Sequence, residues 1–600
     1  MSLSIPELNH GAIGNGRVLA LISPTSAIEW LCLPRFDSPS VFGRILDSKN
    51  GGTFRFLASG EEIQGQMAYL PNTNVLSTRF EHQGCVWETI DFAPRLPRGL
   101  SIHAPIQVAR ILRTLQGHPK LYVDFDPRPD YARANVSMVE TSDGIEVSGN
   151  FTPITLHTNL PTSYVLGKRQ FFLDRTLFFV ISHGHPHHRP TLAEIQHDCD
   201  MTVNGWRAWV KTCALPTFAP EAVLRSALCL KLHVYEDTGA IIAAATTSIP
   251  EAMGTQRTWD YRYCWLRDAA FVVEALRRLS HLSEGERFIH FLRDVAEAGP
   301  LQPLYGIDGE RQLQEMFLPH LAGFGGNGYV RIGNSAAEQR QNDLVGELVL
   351  CLETLLSDPR IIIDKPEKFF PLIERLVEEA ILIAPTLDTS IWEFRSLLRP
   401  YTFSRAMCWV AIQRGACLAR QFRRNELAER WEKHALIERE IVLKRGFQPQ
   451  HGFFTQALDG EFPDASNLLL PSIGILDAHD PRFQSTVQNY KKLLMDDGGL
   501  VYRYRNEDDF GLTTSAFTIC SFWMSEALAL MGELDEAITM FRHLLTLMNP
   551  VGLFSEDFDP HTNHLLGNFP QAYTHVGLIN AAMTIGGLLE ARDGKVRAWV

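Results

Sequence analysis

The spacing of hydrophobic positions changes about a third of the way along the chain. Before that point, short apolar or alternating runs such as VLALIS (18–23), GIEVSG (144–149) and TLFFVIS (176–182) are separated by turn signals including Pro24-Thr25 and Asp143-Gly144. Runs of this length with period two predict β-strands, and many of them in succession predict a sandwich of hairpins with no βαβ units. Around 190–213 the pattern becomes helical, in TLAEIQHDCDMTVNGWRAWVKTC, which reads as a linker. From about 218 onward apolar residues recur at helical spacing, as in EAVLRSALCLKLHVY and NDLVGELVLCLETLL. A helix–short turn–helix unit repeats at 274–292, 417–436 and 527–545. In the first unit Ser283 and Glu286 have the spacing of a capping box, and in the third Gly532 stands where a helix-ending glycine belongs. Repeated antiparallel pairs build either an open solenoid or a closed ring, and periodicity does not choose between them.

Composition narrows the class without naming a chemistry. The 600 residues predict two to four domains, and 45% hydrophobic with 21% charged residues suits a globular chain with a sizeable core. A net charge of −13 argues against nucleic acid or an anionic membrane as partner. No apolar run approaches the length of a membrane span. The opening MSLSIPELNHGAIGNG lacks a basic n-region and an apolar h-region, so a cytoplasmic protein is expected. The ten cysteines are scattered singly, without metal-ligand spacing, and read as free thiols. HGHPHH at 183–188 reads as a solvated loop, so neither a metal nor another cofactor is expected. Oligomeric state is left open, a homo-oligomer included.

Two glutamates have suggestive settings: Glu393 in IWEFR and Glu556 in GLFSEDFDP. Cleaving a glycosidic bond takes one carboxyl that donates a proton to the leaving oxygen and another that activates water. Trp392 and Phe394 flank Glu393, which predicts a low local dielectric and a raised proton affinity. Ser555, Asp557 and nearby glycines flank Glu556, which predicts a hydrated loop and a charged carboxylate.

The segments RTWDYRYCWLRDAAF (257–271), IWEFR (391–395) and GLFSEDFDP…LGNFPQAYTH (552–575) resemble the signature blocks of glycoside hydrolase family 15. The stretch AIGNGRVLALISPTSAIEWLCLPRFDSPSVFG (12–43) is similar to the N-terminal domain of that family's trehalase-like branch. The resemblance runs from about residue 10 to about 590 in collinear order. It implies a multidomain β + α protein, an N-terminal β-supersandwich followed by an (α/α)6 barrel. The expected boundaries are 1–189 for the sandwich, 190–217 for the helical linker and 218–600 for the catalytic barrel.

The resemblance also implies roles. Glu393 matches the general acid and Glu556 the general base of an inverting, exo-acting α-glucoside hydrolase that releases β-glucose. Arg267 and Asp268 match the pair that grips the non-reducing glucose, with Trp259, Asp260 and Tyr261 beside them. Gln339, Asp343 and Glu347 have the spacing of one helical face, which the resemblance turns toward the barrel mouth. Trp392, Arg395, Arg503, Tyr504, Gln571 and His575 complete the expected substrate set, with Arg395 expected to point away from Glu393. Arg331 and Asn334 are weaker members. Two departures from the family pattern bear on the acceptor sugar: Phe403-Ser404-Arg405 stands where His-Ser-Lys is common, and Thr514-Ser515 where a glutamate is common. Arg35, Asp37 and Ser38 lie in a Pro-bounded loop that either shapes the pocket or staples the β domain.

The substrate this implies is a small α-glucoside, α,α-trehalose first, with malto- or isomalto-oligosaccharides as the alternative. A disaccharide phosphorylase on the same architecture is a remoter alternative, against which the second glutamate argues. A sugar-binding protein without activity does not need both carboxylates.

Overall fold

The computed structural model describes residues 5–99, 101–184, 188–363 and 365–594. Its first part is two antiparallel sheets. One has seven strands, running from Gly11–Gly14 through Leu19–Ile22, Ile28–Cys32, Thr53–Ala58 and Lys120–Asp126 to Phe171–Phe172, with Ser40–Phe42 paired to Ile28–Cys32. The other has eight, from Ser137–Thr141 at one edge to Gln66–Tyr69 at the other. Strand faces that alternate in burial, as in Thr53–Ala58, pack Phe54, Phe56, Phe125 and Phe179 edge to face between the sheets. Arg110 is fully buried there, and it is tolerated because Asp91 accepts from its Nε at 2.7 Å and the Phe54 carbonyl from its Nη1 at 2.9 Å.

After the sandwich the chain is helical: α1 (Leu192–Val210), α2 (Pro220–His233), α3 (Leu266–Arg278), α4 (Ser283–Glu297), α5 (Leu344–Ser357), α6 (Phe370–Ile383), α7 (Thr402–Gln421), α8 (Asn425–Ile441), α9 (Pro481–Leu493), α10 (Thr518–Leu530), α11 (Leu534–Leu545) and α12 (Ala572–Arg592). Helix α7 packs on α5, α5 on α3, α10 on α12, and α12 returns against α3, with the short turn Ala465–Leu469 between α7 and α10. The pairs therefore close into a ring, which decides against an open solenoid. Inner members such as α10 are buried on nearly every side, whereas an outer member such as α8 buries only Ala428, Trp431 and Ala435.

Two end signals fared differently. Gly532 follows α10 with φ 91°, the left-handed conformation that favours glycine. The expected capping box at Ser283 does not form: Leu282 occupies the cap in helical conformation, and the Ser283 hydroxyl donates to Glu284 at 2.9 Å. A capping box forms instead at the start of α1, where Thr191 and Glu194 satisfy each other's backbone N–H.

The sandwich braces the segments that enter the ring. Trp30 Nε1 donates to the Ala245 carbonyl at 2.7 Å. Arg262, fully buried, donates to the Ser38 carbonyl, to the Tyr131 hydroxyl and to Asp260. The Arg35 guanidinium pairs with Asp37, Asp308 and Glu310, and Asp37 accepts from the Ile307 N–H at 3.2 Å. Of the histidine-rich segment, 185–187 lie outside the described residues, and His188 is exposed beside Glu194. Among the described residues no helix is long and apolar enough to cross a membrane, and no group of three His, Cys, Asp or Glu could hold a metal ion. All ten cysteines are free, seven of them buried.

Candidate active site

One pocket is lined by segments that lead into inner helices: Trp259, Tyr261, Trp265, Arg267 and Asp268 at α3, Asn334 and Gln339 before α5, Trp392, Glu393 and Arg395 before α7, Arg503, Tyr504, Asp508 and Phe510 before α10, and Glu556, Gln571 and Tyr573 around the start of α12. The site thus sits over the N-terminal ends of the ring, where loops converge and helix dipoles are positive.

Glu393 stands on a strained turn. Its φ is 61° and that of Ser390 is 66°, with Glu393 N–H bonded to the Ser390 carbonyl and Phe394 N–H to the Thr389 carbonyl. A left-handed non-glycine residue costs roughly 1–2 kcal/mol, and such strain gathers at functional sites. Asp388 anchors the turn by accepting from the N–H groups of Asn342 and Ser390 and the Ser404 hydroxyl, and burial beside Asp343 pushes its carboxyl up to about 7. Three donors converge on Oε1 of Glu393: Trp265 Nε1 at 2.6 Å, Arg267 Nη2 at 3.1 Å and Gln341 Nε2 at 3.1 Å. Its side chain keeps 21% of its surface exposed. The apolar surround expected from Trp392 and Phe394 is therefore replaced by N–H donors, because the turn directs the carboxyl toward the residues at the start of α3.

Glu556 is the opposite case. It is 2% exposed, where a hydrated loop was expected. Residues 557–559 pair with 564–566 in a hairpin that also pairs with Ala516–Phe517, and this buries the acidic pair. Oε1 accepts from the Tyr261 hydroxyl at 2.7 Å, whereas Oε2 has no protein partner. Burial, with Glu251 and Asp557 close by, pushes the Glu556 carboxyl well above the ordinary carboxylate range; Asp557 is pushed up to about 8 by burial and Glu251. Gly567, at φ 72°, lets the hairpin return against Glu556, where a Cβ would stand 2.7 Å from the Glu556 Cβ.

Arg267 links much of the acid side, touching Gln341 at 2.7 Å, Asp343 at 3.3 Å and Asp268 at 3.5 Å. Asp268 is pushed up to about 6 by burial, and its Oδ2, beyond the ion pair with Arg267, accepts no hydrogen bond. Trp392 Nε1 is held between both oxygens of Asp464 at 2.9 Å. Arg395 points away from Glu393, lying 4.6 Å over the Trp259 ring and pairing with Glu315. Tyr504 donates to Asp508, which also binds Arg257.

Three expectations need correcting, and one open alternative is decided. Asp260 is fully buried against Arg262 and behind the pocket wall. Gln339, Asp343 and Glu347 do not share a helical face, because Gln339 is extended after the turn Ser335–Glu338 and α5 begins at Leu344; of the three only Gln339 lines the pocket. His575 is fully buried, its Nε2 3.2 Å from the Phe554 N–H and its Nδ1 2.9 Å from Ser226, and so reaches neither Glu556 nor the pocket. The loop with Arg35, Asp37 and Ser38 binds 307–310 and does not line the pocket. Of the two departures, Arg405 pairs with Glu438 outside the pocket, and the Ser515 hydroxyl donates to Asp557 at 3.2 Å.

Sequence reasoning missed Glu251, Trp265, Gln341 and Asp508. Trp265 lies in the block 257–271, and its indole N–H was the available signal; Gln341 and Asp508 stand close to Gln339 and Tyr504 in sequence, whereas Glu251 comes from a segment without a motif.

The model for glycosyl hydrolases family 15 matches residues 217–583, and one described as trehalase-like, N-terminal matches residues 5–162. A trehalase of Mycobacterium tuberculosis is 35% identical, covering 97% of this chain and 89% of that protein. A trehalase of Thermoplasma acidophilum is 33% identical over 96% of this chain and the whole of its own length. A bacterial glucoamylase crystallised with acarbose superposes with a TM-score of 0.73 at 14% identity, covering 98% of this chain and 96% of its own, which establishes the shared fold.

Proposed function

The chain belongs to glycosyl hydrolases family 15 and is a glycoside hydrolase, and from that premise we propose that it hydrolyses α,α-trehalose with inversion, Glu393 acting as general acid and Glu556 as general base. The observation that carries the choice of substrate is likeness to trehalases through both domains, at 35% identity across 97% of the chain. The small α-glucoside enters with its non-reducing glucose at the deep end of the pocket, and the leaving sugar lies toward the mouth.

The division of roles follows from depth. The acid has to meet the leaving oxygen, so the partly exposed Glu393 suits it; the base has to reach the far side of the anomeric carbon, so the buried Glu556 suits it. Donors occupy Oε1 of Glu393, which leaves Oε2 to carry the transferred proton. That proton passes to the glycosidic oxygen as the bond to the anomeric carbon breaks. Water seated at the free Oε2 of Glu556 loses a proton to it and adds to the anomeric carbon, giving β-glucose and a second glucose. Exchange with solvent then returns a proton to Glu393 and removes one from Glu556. Arg267, Asp268, Gln339, Arg503 and Gln571 supply polar contacts for hydroxyls, and Trp259, Trp392 and Tyr504 supply ring faces. Ten free thiols suit a reducing compartment such as the cytoplasm.

The test is glucose release from trehalose, maltose, isomaltose, kojibiose and nigerose, with the ratio of α- to β-glucose read by proton NMR before mutarotation. Preferred cleavage of trehalose is expected, with one β-glucose from the attacked centre and one α-glucose, the leaving sugar with its own anomeric centre untouched, appearing together. Preference for maltose or isomaltose would make the chain a glucoamylase- or glucodextranase-like hydrolase, and release of two α-glucoses from trehalose, with β-glucose arriving only by mutarotation, would end the inverting assignment.

A further inference from the structure

Glu251 is a further pocket carboxylate, only 3% exposed, carried by a segment without a sequence motif. Its Oε1 accepts from Trp259 Nε1 at 2.6 Å, and its Oε2 accepts from Arg503 Nη2. Arg257 Nη1 stands 3.9 Å from the same Oε2, but its forked pair is with Asp508. The Pro250 carbonyl accepts from the Gly567 N–H at 2.8 Å, and Gly567 lies against the Glu556 side chain, so Glu251 is tied to the turn that carries Glu556. The charges of Glu251, Asp557 and Arg503 act on Glu556, and the Tyr261 hydroxyl donates to it. Although two acidic groups are near it, among the described residues the Arg503 guanidinium bonds a carboxylate only at Glu251, while Glu556 Oε2 and Asp557 Oδ2 have no partner.

That arrangement is informative. A buried guanidinium beside three carboxyls pairs with whichever is best placed, and a forked pair with Glu556 would occupy the oxygen that has to receive water. We propose that Glu251 is a positioning residue for hydrolysis, holding Arg503 against the pocket wall and away from Glu556 so that Oε2 of the base stays open to water. This rests on the assignment of Glu556 as base.

Three variants test it: Glu251→Gln, Arg503→Gln and the double variant, each with pH profiles of kcat and kcat/KM on trehalose. In Glu251→Gln the released Arg503 swings to Glu556. The expected result is a fall in kcat of about tenfold or more and an acidic limb moved down by roughly 1–3 pH units, the usual effect of a gained opposite charge. Removing Arg503 as well should bring the acidic limb back up from its place in the single variant, because no guanidinium then reaches the base, whatever the lost hydroxyl contact costs in kcat. Arg503→Gln alone should move the acidic limb upward, and this arm holds even if Glu251→Gln fails to fold. An unmoved limb in Glu251→Gln, or a double variant whose limb stays where that of Glu251→Gln lies, would reduce Glu251 to a strut for Trp259 and overturn the proposal. Glu556→Gln separates the two claims: if it keeps its activity the base assignment falls, and if it is inactive while the Glu251 variants leave the limb in place, only the present inference falls.

Discussion

The two sides of the pocket solve opposite problems with the same side chain. Around Glu393 the protein gathers indole, guanidinium and amide N–H groups on one oxygen. Around Glu556 it gathers acids, with Glu251 and Asp557 beside a carboxyl that has one hydroxyl donor and one bare oxygen. The first setting fixes a carboxyl by hydrogen bonds and leaves it reachable from the mouth. The second raises the proton affinity of a group that must accept a proton. A base of raised affinity is the stronger base once ionised, at the cost of being ionised only at higher pH. The comparison teaches that depth and partners, more than sequence neighbours, divide the labour between two glutamates.

The largest expected effect comes from removing either carboxyl. Glu393→Gln should lower kcat on trehalose by several orders of magnitude but recover much of its rate on α-glucosyl fluoride, whose leaving group hardly needs protonation; Glu556→Gln should be crippled on both. Recovery by the second variant and not the first would exchange the roles. Next is the pH profile of kcat/KM. Because the Glu556 carboxyl is raised and has to be ionised, activity should rise with pH along a limb lying above 4.5, and a limb at or below that value would contradict the acid cluster.

Smaller effects sharpen each side separately. Trp265→Phe removes one donor from Glu393 Oε1, a bond worth about 1.5–3 kcal/mol to the carboxylate that forms as the acid gives up its proton, so kcat/KM should fall about 10- to 150-fold with the acidic limb unmoved. On the other side, Asp557 is raised from 3.8 to about 8, so the stability it contributes is present below its unfolded value and lost as pH rises through its folded one. Asp557→Asn should therefore gain melting temperature relative to the native chain as pH rises from about 4 to about 8; a constant difference would mean the group does not titrate there. Smallest for catalysis is Asp37→Ala, which removes an acceptor for Ile307 and a partner of Arg35. It should cost about 1–3 kcal/mol of stability while leaving disaccharide preference unchanged, and an altered preference would return that loop to the pocket.

Much of the fold was written in periodicity. Short alternating or apolar runs such as 144–149 and 177–182 became strands, and the helical pairs at 274–292, 417–436 and 527–545 became neighbours in the ring. These are local properties, set by which face each short segment must bury. Ring closure was not local, since it depends on α12 meeting α3 some three hundred residues earlier. The motif blocks likewise brought Arg267, Trp392, Glu393, Arg503 and Glu556 to one pocket. What only tertiary structure decided was each group's surroundings. Nothing beside Glu556 in the chain announces Glu251, and nothing beside Glu393 announces Gln341 as its donor. Proton affinity is set by the charges and donors within a few ångströms, and in a ring of helix-entry loops those come from segments far apart in sequence.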